Sequence, residues 1–187
     1  MLIIEIIGWI GSIMYLVAYF LLSNKIIEKD KLYYLLNIVA AVLVAILSTY
    51  KNTMQSVFLN LFWGYLSYFA YINKEFKFNI ISVRLFNISI SALLIVSFIL
   101  LLLKKQFLAL DTLAWISVFV FIVSYYLLLV NKISLQSFNI YNFIAAFIII
   151  PKMYTFENYQ VAFVQAIWAF FALKAYVEDL NLITIKK

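Results

Sequence analysis

Seven stretches of this chain carry ionisable side chains only near their ends, and each is about as long as a bilayer is thick. They cover about 3–23, 32–50, 54–72, 80–103, 112–130, 135–153 and 158–177. A hydrocarbon core takes roughly 20 apolar residues as a helix, and a backbone in lipid must satisfy its own hydrogen bonds. None of the stretches alternates polar and apolar residues as a barrel strand does. The expected fold class is therefore all-α, a polytopic membrane protein with seven transmembrane helices. Composition points the same way: 67% of the residues are apolar, against about half in soluble chains.

Composition also narrows the chemistry. With no cysteine there is no disulfide, thiolate metal site or thiol nucleophile, and with no histidine the commonest general base and metal ligand are missing. Neither a metal site nor a cofactor is expected. There is no Gly-x-Ser-x-Gly, His-Glu-x-x-His or phosphate loop, and the chain does not read as an enzyme. The net charge of +6 sits in short connections between apolar runs. There it sets topology, and no nucleic-acid partner is expected. The first run starts at Met1 without a basic leader or cleavage site and reads as a retained helix. An Ile-, Asn-, Lys-, Phe- and Tyr-rich composition suggests a bacterial source.

The first half of the chain recurs in the second. With 8–72 laid on 114–177, Trp9 falls on Trp115, Tyr19 on Tyr125, Asn37 on Asn142, Gln55 on Gln160 and Tyr71 on Tyr176. Asn24-Lys25-Ile26 meets Asn131-Lys132-Ile133 after a one-residue slip. Gly8, Gly11 and Gly64 land on Ala114, Ser117 and Ala169. Small residues let membrane helices approach closely, so these are read as packing positions. The plan is three helices, a linker helix over about 80–103, then three again. An even number of helices precedes the second triplet, so the repeats are expected to be parallel. The corresponding division is 1–73 for the first triple-helix repeat, 74–110 for the linker and 111–187 for the second repeat with its tail.

Orientation follows from the basic residues. Lys25, Lys29, Lys31, Lys74, Lys77, Arg84, Lys132, Lys174, Lys186 and Lys187 lie on one side; Lys51, Lys104, Lys105 and Lys152 lie on the other. The richer side is the cytoplasm. The expected location is a bacterial inner membrane, with the N-terminus outside and the C-terminus inside.

Candidate site residues come from the third helix of each triplet. Ser56, Asn60, Trp63 and Ser67 are spaced 4, 3 and 4 apart and share one helical face. The second copy, Val161 to Ala172, keeps Trp168 and carries Gln165 at the Asn60 position. Asn60 and Gln165 have donors and acceptors for a neutral polar solute, and Trp63 and Trp168 have flat faces on which a ring could stack. The same residues could instead bond and pack neighbouring helices, and both readings stay open. Tyr19, Tyr125, Asn37 and Asn142 are weaker pathway candidates. For the tyrosines an interfacial belt is the competing role; for the asparagines it is helix–helix bonding. Gly8, Ser12, Tyr15 and Tyr19 form one stripe, repeated as Ala114, Val118, Phe121 and Tyr125. Pro151 is expected to end the sixth helix. No charge lies near mid-span, which argues against a proton-driven pump.

Together these residues resemble the SWEET and SemiSWEET sugar transporters of the PQ-loop superfamily. The 3+1+3 plan, the outside N-terminus and the amide with a nearby tryptophan on each third helix carry the resemblance. Gly8-Trp9-Ile10-Gly11, Ala18-Tyr19, Asn37 and Asn60-x-x-Trp63 are similar still more to short bacterial single-triplet proteins of that superfamily. The resemblance implies a substrate pocket at Asn60 and Gln165, with Trp63 and Trp168 beside it. The family's Pro-Gln pair would fall near Tyr19-Phe20 and Tyr125-Tyr126, where this chain has no proline.

The functional expectation is a facilitator of a small, neutral, sugar-like solute between two triple-helix bundles. A vitamin or nucleoside is the alternative solute. A module that binds a partner protein or peptide without transport is the alternative class. The lipid bilayer is an expected partner in each case, and a homo-oligomer or membrane partner stays open.

Overall fold

The structure, a computed structural model, describes residues 2–73 and 81–185, with side chains as far as Glu178. The basic residues Lys74, Lys77, Lys186 and Lys187, used above to orient the chain, lie outside the described residues. Seven helices account for most of the rest: α1 (Leu2–Ser23), α2 (Lys31–Tyr50), α3 (Met54–Tyr71), α4 (Val83–Leu102), α5 (Gln106–Leu129), α6 (Leu135–Thr155) and α7 (Tyr159–Ile185). There is no strand among the described residues.

The helix ends follow from local chemistry. Asp30, Ser82 and Ser134 accept hydrogen bonds from the backbone N–H groups of Tyr33, Leu85 and Ser137, capping α2, α4 and α6. Six helices stop where one residue turns left-handed: Lys25, Asn52, Asn73, Lys104, Asn131 and Glu157 all have φ between 53° and 58°. After α1, Lys25 N–H reaches Leu22 O and Ile26 N–H reaches Leu21 O, which satisfies carbonyls the helix leaves open.

Three boundaries differ from the sequence expectation. α5 begins at Gln106 rather than near 112, because Lys104 reverses the chain directly after α4 and Phe107-Leu108-Ala109 are already helical. The expected linker segment 74–110 therefore ends inside α5. Pro151 does not terminate α6, which continues to Thr155. Its missing N–H costs one bond near the helix end, and Phe156 N–H to Lys152 O continues the ladder beyond it. α7 runs on past 177 to Ile185.

Five helices, α1, α2, α4, α5 and α7 as far as Glu178, are long and apolar enough to cross a membrane. α3 and α6 have comparable lengths of 18 and 21 residues. They are less apolar because they hold Gln55, Ser56, Asn60 and Ser67, and Gln136, Asn139, Asn142 and Lys152. The polarity of the bundle is that of a protein whose solvent is lipid. Asn37, Ser56, Asn60, Asn139, Asn142 and Gln165 are buried, while Leu2, Ile3, Leu61, Phe98, Phe163 and Phe170 are exposed.

α1, α2 and α3 pack in series, as do α5, α6 and α7; α1 also meets α7, and α3 meets α5. These contacts close a ring of six helices, with α4 packed on α5 outside it. Under the sequence repeat, the α1–α7 contact is the equivalent of the α5–α3 contact. Glycine permits the close approach of α1 to α2. A Cβ on Gly8 would stand 2.9 Å from Leu47 Cβ, and one on Gly11 2.7 Å from Leu43 Cβ. At the Gly11 position of the second copy, Ser117 donates to Ala145 O at 2.8 Å.

Candidate functional site

Helical periodicity brings the third helices' polar faces to the centre of the ring. Ser56, Asn60, Trp63 and Ser67 are all buried on α3, as are Val161, Gln165, Trp168 and Ala172 on α7. Each indole is held by an amide from the preceding helix. Trp63 Nε1 donates to Asn37 Oδ1 at 2.7 Å, and Trp168 Nε1 to Asn142 Oδ1 at 3.0 Å. Those amides are themselves oriented, since Asn37 Nδ2 donates to Tyr33 O and Asn142 Nδ2 to Phe138 O, at 2.7 and 2.8 Å.

So placed, each indole stacks on a tyrosine of the other half. Trp63 lies 4.3 Å from Tyr125 with an interplanar angle of 11°, and Trp168 lies 4.4 Å from Tyr19 at 10°. The indoles meet each other edge to face at 6.0 Å. Tyr15 and its counterpart Phe121 each approach both indoles edge-on. Such pairs contribute about 0.5–1.5 kcal/mol each beyond the area they bury. The six rings tie the halves together at mid-bundle.

Beside this cluster, toward the end of the bundle that carries Glu5 and Asp111, lies a cavity of about 40 Å³. Its lining pairs off under the repeat: Tyr15 with Phe121, Val44 with Ile149, Ser56 with Val161, Leu59 with Val164, Asn60 with Gln165 and Trp63 with Trp168, together with Ser12. Every one of these residues is buried, so the cavity lies inside the bundle and is not a surface groove. By the one-probe-sphere measure it has room for roughly three waters. No acidic or basic side chain lines it. Asn60 Nδ2 donates to Ser56 O at 2.7 Å, and the Ser56 hydroxyl pairs with that of Ser48 at 2.7 Å. The Tyr15 hydroxyl and the Gln165 carbonyl oxygen have no partner. Among the described residues, no cluster of acidic side chains could hold a metal ion.

Contacts between the halves lie beyond the cavity at both ends, and those at the Glu5 and Asp111 end are matched under the repeat. At the Glu5 and Asp111 end, Gln55 donates to Asp111 at 2.7 Å, and its counterpart Gln160 donates to Glu5. Within each half a lysine joins the same acid: Lys51 pairs with Glu5 at 2.7 Å and Lys152 with Asp111 at 3.0 Å. The buried Lys152 ammonium also lies over the rings of Phe107 and Phe156. Thr53 and Asn158, themselves equivalent positions, meet through a 3.1 Å bond from Asn158 Nδ2 to Thr53 Oγ1. Trp9 packs on Phe163, and Trp115 on Phe58. At the other end Tyr19 donates to Asn139 at 2.9 Å, and the Ser67 and Tyr125 hydroxyls stand 3.0 Å apart. Beyond them Lys29 donates to Asn131 Oδ1 at 2.9 Å and to Leu128 O at 3.2 Å. Burial lowers the Lys29 pKa.

The four residues singled out first, Asn60, Trp63, Gln165 and Trp168, all line this cavity. One face of each indole is already covered by tyrosine. Tyr19 and Tyr125 are fully buried at the ring's centre instead of forming a belt at its surface. Asn37 and Asn142 do not touch the cavity; they hold the tryptophans that do. Sequence reasoning missed Tyr15 and Phe121 as lining residues, although the stripe from Gly8 to Tyr19 contained the signal. It also left out the Glu5 and Asp111 pairings, which no spacing within one helix reveals.

Fold and site together describe an all-helical chain of membrane-protein character, whose two matched halves share the lining of a small, uncharged, partly polar cavity. A protein-family model matches residues 4–77 and 110–181, and the chain belongs to that family. The matched segments take in α1–α3 and most of α5–α7, and leave α4 out. No curated protein and no solved structure matches the chain.

Proposed function

We propose that this chain is a transport protein of a bacterial inner membrane that moves a small neutral polar solute through the centre of the six-helix ring. In this reading α1–α3 and α5–α7 are parallel triple-helix repeats joined by a transmembrane α4. The N-terminus and the Glu5 and Asp111 end face outside, and the C-terminus faces the cytoplasm. The observation that carries the proposal is the buried cavity between equivalent residues of the two halves, with repeat-matched cross-contacts at the Glu5 and Asp111 end and further cross-contacts at the other. Such an arrangement suits an occluded state. Opening one set of contacts while keeping the other would give alternating access by rocking one half against the other. The uncharged lining favours a neutral solute. A hexose does not fit a 40 Å³ space, so the resemblance to sugar transporters requires the halves to part before a sugar enters.

A second reading has its own observation. Asn37, Asn142 and the Asn60 amide nitrogen all bond within the bundle, as expected if these residues only hold a partner-binding module together. Uptake by proteoliposomes separates the two. The solutes to offer are labelled glycerol, hexoses, disaccharides, nucleosides and nicotinamide riboside. Saturable uptake that is lost in a still-folded Asn60→Ala variant supports transport. Absence of uptake of every solute by folded protein would refute it in favour of the module.

A further inference from the structure

The two seams that join the halves at the Glu5 and Asp111 end are equivalent under the repeat and unlike in charge. At the α1–α7 seam a groove of about 510 Å³ opens to the surface. It is lined by Glu5 and Trp9 of α1, Lys51 at the end of α2, Glu157 before α7, and Tyr159 and Phe163 of α7. Under the repeat these positions become Asp111, Trp115, Phe156, Asn52, Met54 and Phe58 at the α3–α5 seam. Both seams keep the tryptophan–phenylalanine contact and the acid that takes a glutamine from the other half. They differ in the rest. The lysine that answers Asp111 is Lys152, one turn earlier on α6, buried against the rings of Phe107 and Phe156. Asp111 is thus the one charge among the six positions of the α3–α5 seam.

In the α1–α7 groove the charges are within reach of a ligand. Lys51 and Glu5 keep 24% and 21% of their side-chain surface exposed. Glu157 is exposed, and among the described residues its carboxylate has no hydrogen bond or ion pair. Its backbone is left-handed, with φ of 54°, as is that of its counterpart Asn52. Asparagine is favoured in that conformation, so the turn itself gives no reason for a glutamate. Trp9, Tyr159 and Phe163 are exposed around these charges. α1 and α7 are both long and apolar enough to cross a membrane, and the groove lies at their ends, where hydrocarbon would meet water. Tryptophan and tyrosine are enriched at that level.

We propose that this groove holds the headgroup of a phospholipid with a primary amine, a phosphoethanolamine lipid, and that the α3–α5 seam does not. The lipid ammonium donates to the carboxylates of Glu157 and Glu5. Lys51 pairs with Glu5, and an ammonium with three donors has others left for the lipid phosphate. Two acids against one base leave the groove with a net negative charge, which disfavours a headgroup that is anionic overall. A choline headgroup has no N–H to give the carboxylates. One turn deeper, Trp9 and Phe163 meet edge to face at 6.0 Å and give the first acyl carbons an apolar wall. The volume is that of a small-ligand cleft, about 300–1,000 Å³. The proposal rests on the membrane reading of the bundle and is independent of transport.

The test is quenching of tryptophan fluorescence by lipids with brominated acyl chains. Trp9 and Trp115 are exposed and mark the two seams, while Trp63 and Trp168 are buried. The full chain is reconstituted in phosphatidylcholine vesicles, into which brominated phosphatidylethanolamine, phosphatidylglycerol or phosphatidylcholine is titrated. Trp115→Phe reports the α1–α7 seam and Trp9→Phe the α3–α5 seam. In Trp115→Phe the ethanolamine lipid should associate about threefold or more better than the other two, the scale of exposed ion pairs. Trp9→Phe should show no such preference. Adding Glu157→Gln to Trp115→Phe should abolish the preference, and adding Glu157→Lys should turn it toward phosphatidylglycerol. Equal quenching by all three lipids in Trp115→Phe would overturn the proposal. So would the same ethanolamine preference in Trp9→Phe, or a preference that survives both Glu157 substitutions. Carbonate extraction of the host membranes tests the membrane reading separately. Release of the chain would refute that reading and the proposal together, whereas retention without a headgroup preference would refute the proposal alone.

Discussion

Removing the amide that holds an indole should have a cost that can be read from the geometry. Asn37→Leu keeps a similar volume on α2 and deletes the 2.7 Å acceptor of Trp63 Nε1. The Asn37 bond to Tyr33 O disappears as well, but that carbonyl lies within a helical ladder and loses little. The main effect is a buried indole N–H left unpaired, which costs about 1–3 kcal/mol in soluble proteins. Hydrogen bonds between membrane helices average nearer 0.6 kcal/mol and reach about 1.7. A loss of about 1–2 kcal/mol is therefore expected. A double-mutant cycle with Trp63→Phe isolates it, because phenylalanine has no N–H to strand. The same cycle on Asn142 and Trp168, whose bond is 3.0 Å, should give a similar or slightly smaller coupling. Reversible unfolding in mixed micelles measures all four corners of each cycle. Couplings within ~0.3 kcal/mol of zero for both pairs, the usual scatter of independent sites, would refute the view that these amides position the tryptophans.

Three other predictions follow from single contacts. Gly8→Ala brings a Cβ to 2.9 Å from Leu47 Cβ and should cost about 1–3 kcal/mol in unfolding experiments by overpacking; Gly64→Ala meets only Ala41 at 3.0 Å, has Ala169 as its natural counterpart, and should cost less. The chain has no cysteine, so Thr53→Cys with Asn158→Cys gives a clean pair whose wild-type side chains touch across the halves; a short thiol cross-linker should join them and stop solute flux until reduced, and full flux in the joined protein would exclude opening at this end. Lys29 has a folded pKa below the usual 10.5 because of burial, so between those values the unfolded chain binds more protons and stability rises with pH. Relative to Lys29→Gln, the wild type should therefore gain stability from the lowered pKa up to 10.5, and a flat difference across that interval would contradict it.

How much of this was legible in the sequence depends on the range of the physics involved. Apolar length and the scarcity of charge marked all seven helices, and self-similarity paired the halves, because these properties are local or comparative along one chain. The 3.6-residue period put Ser56, Asn60, Trp63 and Ser67 on one face, and all four are buried. Boundaries were legible only in part: the start of α5 depended on a left-handed Lys104, and the passage of α6 through Pro151 on a single dispensable hydrogen bond.

Periodicity sets the direction of a side chain around its own helix and says nothing about which helix stands opposite. That choice belonged to the packing of the ring, where α1 meets α7 and α3 meets α5. It stacked Tyr19 on Trp168 and Tyr125 on Trp63. It also gave Asn37 and Asn142 a positioning role while leaving Tyr15 and Gln165 unpaired at the cavity. An amide's capacity is the same wherever it stands, but whether a neighbour consumes it is decided only when the helices close on one another.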